Sequence, residues 1–258
     1  MQYFFKTEPY DHQREAFIAS AERSSYALLM DMGTGKTKVD IDSIGLCYEK
    51  GIIDLALIVA PKGVIRNWVP EIEAHLPDRI ERKVVIWRPS LSQTHRKELM
   101  DLYENAGGLK FLLMNIEAFS TKKGVDVAQF FLKKFKVHMT VDESTTIKNR
   151  QAKRTKAICD LGRGAVMRRI LTGSPVTRSP MDLYSQMDFL DPSILGFKSY
   201  YAFQGRYAVV QRRSMGAHSF NHIVGFQRMD ELTAKLKEHS FRVRKEDCLD
   251  LPDKVYMK

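Results

Sequence analysis

Short apolar runs rich in β-branched residues alternate with longer amphipathic segments between residues 25 and 172. Continuous apolar runs indicate buried parallel strands, and apolar positions at helical spacing indicate helices. The alternation predicts an α/β fold, a mostly parallel sheet with helices on both faces. The predicted strands are 26–30, 55–60, 83–87, 111–115, 137–141 and 169–172, and the predicted helices are 36–48, 64–75, 94–105, 125–133 and 152–161.

The pattern changes after Pro175 and predicts a helical and hairpin extension. Between Pro192 and Met229 the chain has no carboxylate, and basic residues alternate with aromatic ones. Such a segment is either a platform on which bases stack or the filling of a small core, and we favour the core. The extension has predicted helices at 179–190, 198–205 and 230–239, and predicted strands at 207–212 and 219–224 about a turn at 214–216.

Charge adds a candidate partner to this picture. The 258 residues include 41 Lys and Arg against 31 Asp and Glu, a net charge of +10. Such an excess favours polyanionic partners, nucleic acid ahead of membrane. The three cysteines are far apart and indicate neither a disulfide framework nor a metal site. With no leader segment and no apolar run of about 20 residues, we expect a cytoplasmic protein without membrane contact.

The strongest local signal is residues 31–37, Asp-Met-Gly-Thr-Gly-Lys-Thr, which follow a predicted strand and open a predicted helix. Triphosphates are bound by backbone N–H groups that glycines bring close, by a helix N-terminus and by a lysine, with a hydroxyl on Mg²⁺. The strict phosphate-loop pattern has a further glycine where this chain has Met30. The strand and helix context nevertheless predicts a nucleotide site formed by Gly33, Thr34, Gly35, Lys36 and Thr37, with Thr37 as a metal ligand.

The predicted strand 137–141 ends at two adjacent carboxylates, Asp142 and Glu143. Alone, such a pair is usually a solvated turn, but here it follows the lysine loop in the order that phosphate-loop enzymes use. In those enzymes the first acid holds Mg²⁺, and a neighbouring acid orients and deprotonates the attacking water. We assign the first role to Asp142 and the second to Glu143. Together with Lys36, they are the candidate catalytic residues.

Residues 142–149, Asp-Glu-Ser-Thr-Thr-Ile-Lys-Asn, resemble the Asp-Glu-x-His-x-x-Lys-Asn signature of superfamily-two helicases of the switch/sucrose-non-fermenting branch. Other segments are similar to further motifs of this family, in the same order along the chain. The amino-acid sequence as a whole is most similar to that of bacteriophage-encoded members. This similarity would place the protein in a host cytoplasm. The similar segments are 10–13, 60–62 with 67–71, 115–117, 171–176, and 242–245 with 251–254.

The resemblance implies a RecA-like P-loop domain that uses ATP and Mg²⁺. It implies that Gln13 reads adenine, and that Thr172 and Ser174 lie in a motif coupling the nucleotide site to nucleic acid. Duplex DNA is the favoured substrate. The basic run 148–169 is either a solubilising face, a nucleic-acid track or a docking face. The candidate nucleic-acid contacts are Lys62, Arg66, Asn115 and Ser120, together with Arg212 and Arg213 near the predicted hairpin tip.

The chain departs from the family pattern in two ways. After the two acids, the family commonly has Ala-His or Gly-His, whereas this chain has Ser144 and Thr145 and so lacks the histidine. The chain also stops where the family's second RecA-like lobe should begin. We therefore expect an ATP-binding lobe (1–178), the extension (179–245) and the start of a linker (246–258).

The expected function is the ATP-binding lobe of a nucleic-acid-stimulated ATPase. It would bind ATP but hydrolyse it weakly without a second lobe, supplied by a longer chain or by another subunit. The alternative is a nucleic-acid-binding module whose nucleotide site is regulatory or vestigial.

Overall fold

The computed structural model describes residues 3–90, 92–104, 107–215 and 218–248. The strands are β1 (Ser25–Met30), β2 (Leu55–Ala60), β3 (Arg82–Ile86), β4 (Leu109–Asn115), β5 (Val137–Asp142), β6 (Met167–Leu171), β7 (Ala208–Met215), β8 (His218–Phe226) and β9 (Ser240–Val243). The α-helices are α1 (Asp11–Ser20), α2 (Lys36–Glu49), α3 (Trp68–His75), α4 (Gln93–Glu104), α5 (Lys122–Leu132), α6 (Lys153–Gly162), α7 (Leu183–Leu190), α8 (Tyr200–Tyr207), α9 (Met229–Glu238) and α10 (Lys245–Cys248). Short 3₁₀ turns cover Ile65–Asn67, Ile116–Ser120, Ser144–Ile147 and Pro180–Asp182.

Seven strands form one parallel sheet in the order β3-β4-β2-β5-β6-β1-β9. All six strands that the apolar runs predict are present, and their ends lie within two residues of the predicted ones. Helices cover both faces of the sheet, as strands that are apolar on both sides require. The predicted α/β fold is therefore confirmed.

Alternate side chains of each central strand enter two separate cores. Leu57 and Val59 of β2 lie in the core covered by α5, α6 and α7, whereas Ala56 and Ile58 lie in the core covered by α1, α2 and α3. This division follows from the two-residue period of a strand. Every residue of β2 is buried, which explains why its apolar run is continuous.

A buried polar cluster fastens α2 to β5, the two elements that carry the predicted phosphate and metal ligands. Asp40 of α2 lies 3.1 Å from His138 Nε2 and accepts a 2.7 Å hydrogen bond from the Thr140 hydroxyl. All three side chains are fully buried. Burial lowers the pKa of His138, so its neutral imidazole donates Nε2–H to Asp40. The cluster fixes α2 against the strand that ends at Asp142.

The apolar pattern predicts neither α1 nor β9. Most of α1 is polar, and its two buried apolar side chains, Ala16 and Phe17, give little helical periodicity. β9 has four residues, of which Val243 alone is buried, so it lacks a strand-like alternation. β9 pairs in parallel with β1 at the edge of the sheet. The predicted extension 179–245 therefore includes one strand of the lobe itself.

The rest of the extension contains the predicted helices and hairpin. β7 and β8 form a separate antiparallel ribbon with an irregularity between Val209 and Val210. Phe203 and Tyr207 of α8 are fully buried, as the core-filling interpretation of the aromatic segment predicts, whereas Tyr201 is exposed. Of the predicted turn 214–216, Ser214 and Met215 belong to β7 instead, and Gly216 lies outside the described residues, as do residues 249–258 of the predicted linker.

Candidate nucleotide and nucleic-acid sites

The predicted nucleotide residues follow the carboxyl ends of three adjacent strands. In the sheet β6 lies between β5 and β1, so the carboxyl ends of these three strands lie side by side. We call the side of the sheet where all the strands have their carboxyl ends the carboxyl edge. The phosphate loop follows β1, the acid pair ends β5, and Thr172 follows β6. Ligands of open parallel sheets bind outside this edge. The structure thus brings together residues far apart in the chain.

The phosphate loop has the backbone conformation that glycine permits. Gly33 and Gly35 have φ angles of 84° and 87°, in the left-handed region. Gly35 caps the N-terminus of α2, whose first residue is Lys36. The loop therefore directs a helix N-terminus at the cleft, where it attracts an anion. Met30, at the position of the missing glycine, is a buried residue of β1 and does not belong to the turn.

Gln13 holds the phosphate loop from outside. Its Oε1 accepts a hydrogen bond from the Tyr10 N–H at 3.2 Å, and its Nε2 donates to the Thr34 carbonyl at 3.1 Å. His12 Nε2 also lies 2.9 Å from that carbonyl. A Cβ on Gly35 would lie 2.2 Å from Gln13 Nε2, so the two residues fit only because position 35 is glycine. The adenine contact of Gln13 stays a prediction, and its support of the loop is a role that the motif did not indicate.

Asp142 is buried, and both of its carboxylate oxygens have hydrogen-bond donors. Oδ2 accepts the Trp68 indole N–H at 3.0 Å, and Oδ1 accepts the Glu143 backbone N–H at 2.9 Å. Burial raises the pKa of Asp142, whereas the Trp68 hydrogen bond and the nearby Lys36 charge oppose that rise. Trp68 lies in a segment similar to a family motif, but only its contact with Asp142 identifies it as a site residue.

Glu143 faces the lysine of the phosphate loop. Its Oε1 lies 4.0 Å from Lys36 Nζ. Its φ angle is 49°, a left-handed conformation that is uncommon outside glycine. Backbone strain of this kind clusters at functional sites. Glu143 therefore combines a left-handed backbone conformation with a carboxylate close to Lys36, directly after β5.

A cleft of about 250 Å³ separates the phosphate loop from the acid pair. Thr172 is buried, and its hydroxyl accepts a 3.2 Å hydrogen bond from the Ser174 N–H. Both predicted coupling residues therefore lie at the same cleft as Lys36 and Glu143. The cleft is lined by Asp31, Met32, Lys36, Glu143, Thr145, Thr172, Gly173, Ser174 and Thr177.

The donor set fits Mg²⁺ bound together with phosphates. Thr37 and Asp142 offer oxygen atoms, the ligands that Mg²⁺ prefers, and Mg²⁺ commonly binds one or two protein oxygens, phosphates and water. Among the described residues no cluster of three or more His, Cys, Asp or Glu side chains could hold a metal by itself. Thr37 and Asp142 are the residues that would hold Mg²⁺ beside bound phosphates.

Four predicted nucleic-acid residues lie at the same carboxyl edge, near the ends of β2 and β4. Ala60 of β2 is in register with Asn115, the last residue of the neighbouring β4, and Lys62 follows the end of β2. Asn115 donates a 2.8 Å hydrogen bond to Glu117. Arg66 and Ser120 are exposed on the 3₁₀ turns that follow β2 and β4. Arg212 and Arg213 are exposed on β7, in the separate ribbon, so the structure does not unite them with the other four in one sheet.

The family profile described as "SNF2-related domain" matches residues 10–256. The chain belongs to this family. The SNF2-related chain is 31% identical over 166 residues to the "Probable ATP-dependent DNA helicase CHR12" of Arabidopsis thaliana, covering 64% of the chain and 14% of that protein. It is 27% identical over 248 residues to the human "DNA excision repair protein ERCC-6-like", covering 92% of the chain and 19% of that protein.

Solved structures agree with the SNF2-related assignment at the level of fold. A Sulfolobus solfataricus SWI2/SNF2 ATPase core in complex with dsDNA has a TM-score of 0.69 and 22% sequence identity, covering 95% of this chain and 47% of that one. The SNF2-related chain thus spans less than half of the structure that it matches, and 14–19% of the two relatives above. In the described part of the chain, none of the helices has the length and apolar character needed to cross a bilayer.

Proposed function

We propose that this chain is the ATP-binding lobe of a nucleic-acid-stimulated ATPase that acts on DNA. The observation that carries the proposal is the cleft between a glycine loop capping α2 and the acid pair at the end of β5. Lys36 and the loop N–H groups would bind the phosphates, and Thr37 with Asp142 would hold Mg²⁺. Glu143 would orient and deprotonate the attacking water, because it directly follows β5 and lines the cleft.

The residues near the carboxyl ends of β2 and β4 support nucleic acid as the substrate. The chain carries a net charge of +10, and Lys62, Arg66 and Asn115 follow strand ends beside those of the nucleotide site. Basic and amide side chains of this kind bind phosphates without reading sequence, which suits movement along any sequence. A structural neighbour bound to dsDNA and a relative named as a DNA helicase support duplex DNA.

Hydrolysis by this chain alone is expected to be slow. Among the described residues that line the cleft, Lys36 is the one cation. Phosphoryl transfer requires the charge at the γ-phosphate to be neutralised, and a missing arginine finger costs about 10³–10⁵ in rate. We propose that a second RecA-like lobe, in a longer chain or another subunit, donates this charge.

Nucleotide binding and steady-state ATP hydrolysis, measured with and without duplex DNA, test the proposal. We expect the wild-type chain to bind ATP with Mg²⁺ and to turn it over slowly. Lys36→Ala should lose binding, whereas Glu143→Gln should bind ATP and lose the remaining turnover. Lys133→Ala, which removes an exposed lysine after α5, is the matched control and should behave as wild type.

The alternative, a nucleic-acid-binding module with a regulatory or vestigial nucleotide site, gives a different result. Its support is the Ser144-Thr145 departure in the acid motif. A regulatory site would bind ATP and change DNA affinity with no turnover that Glu143→Gln could remove. If the nucleotide site is vestigial, the wild type and Lys36→Ala should bind DNA equally well, and neither protein should bind ATP.

A further inference from the structure

One aromatic side chain of α8 lies outside the core. Tyr200, Phe203 and Tyr207 recur at helical spacing and pack in the core that α5, α6 and α7 cover. Tyr201 is one position out of step with this face, so the helix directs its ring towards solvent. Tyr201 is 69% exposed. Core filling therefore accounts for the other three aromatic residues of α8 and not for Tyr201.

Arg150, in the loop between β5 and α6, supports this exposed ring. Its guanidinium carbon lies 4.1 Å from the centre of the Tyr200 ring and 5.2 Å from the centre of the Tyr201 ring. Its Nη2 also lies 3.4 Å from the Tyr201 hydroxyl. A guanidinium beside an aromatic face is held there by cation–π attraction. Because Tyr201 stays mostly exposed, the contact orients the ring without covering it.

The cleft beside Arg150 leaves two cations without a carboxylate partner. Arg150 and Lys156 line this cleft of about 280 Å³ between α6 and α7, together with Asp160 and Asp188. Both carboxylates face Arg163, which contacts Asp160 and lies 3.8 Å from Asp188. In the part of the chain that the structure describes, neither Arg150 nor Lys156 forms an ion pair. Their charges are therefore free to attract an anion.

An exposed ring beside cations without carboxylate partners matches the chemistry of an unpaired nucleic-acid strand. Every base has a π-face that can stack on an aromatic side chain, and the phosphates beside it attract cations. In a duplex the base faces are already stacked on one another, so an exposed ring has no free face to bind. The segment between Pro192 and Met229, which contains α8, has no carboxylate that would repel a strand.

We propose that Tyr201 and Arg150 form a base platform, on which one base of an unpaired strand stacks while Lys156 contacts a phosphate of the same strand. The inference goes beyond the proposed function, because it requires neither ATP nor the residues at the carboxyl edge. Of the three roles open to the basic run 148–169, it selects the nucleic-acid track. The ligand is single-stranded nucleic acid, in addition to duplex DNA.

Photo-cross-linking and fluorescence anisotropy of the whole chain test the base platform, with an oligothymidine that carries one 5-iodouracil base as the probe. In the wild type, irradiation should link the iodouracil to Tyr201, because the reaction requires an aromatic ring in contact with the base. Tyr201→Leu should lose this cross-link and bind the single strand about tenfold more weakly, as expected for the loss of one base stack. Tyr201→Phe keeps an aromatic ring and should retain the cross-link and the affinity.

Duplex DNA and salt separate stacking from general attraction to phosphates. Tyr201→Leu should bind the corresponding duplex as tightly as the wild type does, and its slope of log affinity against log salt for the single strand should be unchanged. Lys156→Ala should instead reduce that slope by about 0.7, the value for one phosphate contact on a single strand.

Phe4→Leu is the matched control. Phe4 is 62% exposed, and its ring centre lies 5.9 Å from the guanidinium carbon of Arg79. Arg79, however, has a carboxylate partner, because its Nε lies 2.6 Å from Glu49. This ring thus has similar exposure and an arginine neighbour whose charge is already paired. Phe4→Leu should keep the single-strand affinity of the wild type and the cross-link at Tyr201.

The outcomes separate this inference from the proposed function. The base platform is overturned if the wild type does not bind the single strand, if the cross-link lies elsewhere, or if Tyr201→Leu binds as the wild type does. Equal losses in Tyr201→Phe and Tyr201→Leu also overturn it, because stacking needs the ring and not the hydroxyl. A wild type that cross-links through Tyr201 but binds neither ATP nor duplex DNA would overturn the proposed function and leave the platform standing.

Discussion

Trp68 donates a hydrogen bond to the buried carboxylate of Asp142, which we propose as a metal ligand. Trp68→Phe keeps most of the apolar volume but leaves Asp142 Oδ2 without its 3.0 Å donor. An unsatisfied buried acceptor costs about 1–3 kcal/mol, so the free energy of unfolding should fall by that amount. Because the lost bond favours the charged carboxylate, the pKa of Asp142 should rise further, and Mg²⁺-dependent ATP binding should shift to higher pH. Urea unfolding and nucleotide titrations from pH 6 to 8 measure both effects.

The second tryptophan provides the control for this change. Trp87 is also buried, but its indole nitrogen has no hydrogen-bond partner among the described residues. Trp87→Phe should therefore change packing alone and leave the pH dependence of nucleotide binding as in the wild type. Equal pH shifts in the two variants would contradict the role given to Trp68.

The two glycines of the phosphate loop make a matched pair. Both have left-handed φ angles, but a Cβ on Gly33 meets nothing within 4 Å, whereas a Cβ on Gly35 meets Gln13. Gly33→Ala should cost roughly 1–2 kcal/mol of stability for the backbone conformation alone. Gly35→Ala should cost more and also weaken ATP binding, because the clash displaces the loop. Chemical denaturation and nucleotide titration compare them, and adding Gln13→Ala should relieve only the Gly35→Ala variant.

At the residue scale, the sequence predicted side chains that act near their neighbours in the chain. The phosphate loop is one continuous segment and the acid pair is another, so residue type and order along the chain were sufficient to predict each of them. The Trp68–Asp142 and Arg150–Tyr201 contacts join residues 74 and 51 positions apart. Only the strand order and the placement of α8 bring them together, and single-sequence patterns carry no information on either.

At the scale of elements, α2 contains a buried ion pair with a pH-dependent cost. Lys38 Nζ lies 2.8 Å from Asp42 Oδ2 and 2.9 Å from the Thr7 carbonyl. Burial raises the pKa of Asp42 from 3.8 to about 6, although the Lys38 charge opposes the rise. The folded chain therefore holds this proton more tightly than the unfolded chain does. By linkage, the free energy of unfolding should fall as pH rises from about 4 to 6.

Asp42→Asn tests this contribution. The wild type should lose about 3 kcal/mol relative to the variant across that pH interval, since one pKa unit corresponds to about 1.4 kcal/mol. Denaturant unfolding at several pH values gives the difference curve. Asp126→Asn removes an exposed carboxylate of α5 and should keep the wild-type slope. A difference curve that is flat for Asp42→Asn would contradict the buried-carboxyl interpretation.

The elements themselves were predictable in proportion to their apolar content. The buried strands β1, β2 and β5 were placed to within one residue, because continuous apolar runs mark them. β9 is a short edge strand with one buried side chain, and α1 is mostly polar, so neither has the apolar periodicity that reveals an element. Both are held by contacts with distant parts of the chain, which no local pattern reports.

At the scale of the whole molecule, the sheet edge separates two chemistries. The nucleotide residues follow β1, β6 and β5, and the candidate nucleic-acid residues of the lobe follow β2 and β4. Both face outward from one rigid sheet, because all seven strands run parallel. A nucleotide near the ends of β1, β6 and β5 and a nucleic acid near the ends of β2 and β4 would therefore both bind to the same sheet.

This arrangement predicts how DNA affinity responds to salt. Lys62→Ala should weaken duplex binding uniformly across sequences and reduce the slope of log affinity against log salt by about 1. The double variant Arg212→Ala and Arg213→Ala removes two such contacts and should reduce the slope by about 2. Fluorescence anisotropy at several salt concentrations measures the slope, with Lys133→Ala as the control. An unchanged affinity and slope in either variant removes that residue set from the interface.

The edge position of β9 also bears on the order in which the molecule can be built. β1 leaves the ribosome before every other strand of the sheet, yet its two neighbours are β6 and β9, the last two strands of that sheet to be synthesised. Chains generally fold as they emerge, and pairing between distant segments is slow. The strand that precedes the phosphate loop must therefore remain without its two sheet neighbours until β6 and β9 have been synthesised. Of the seven strands of this sheet, the first to be synthesised is the last to gain both of its neighbours.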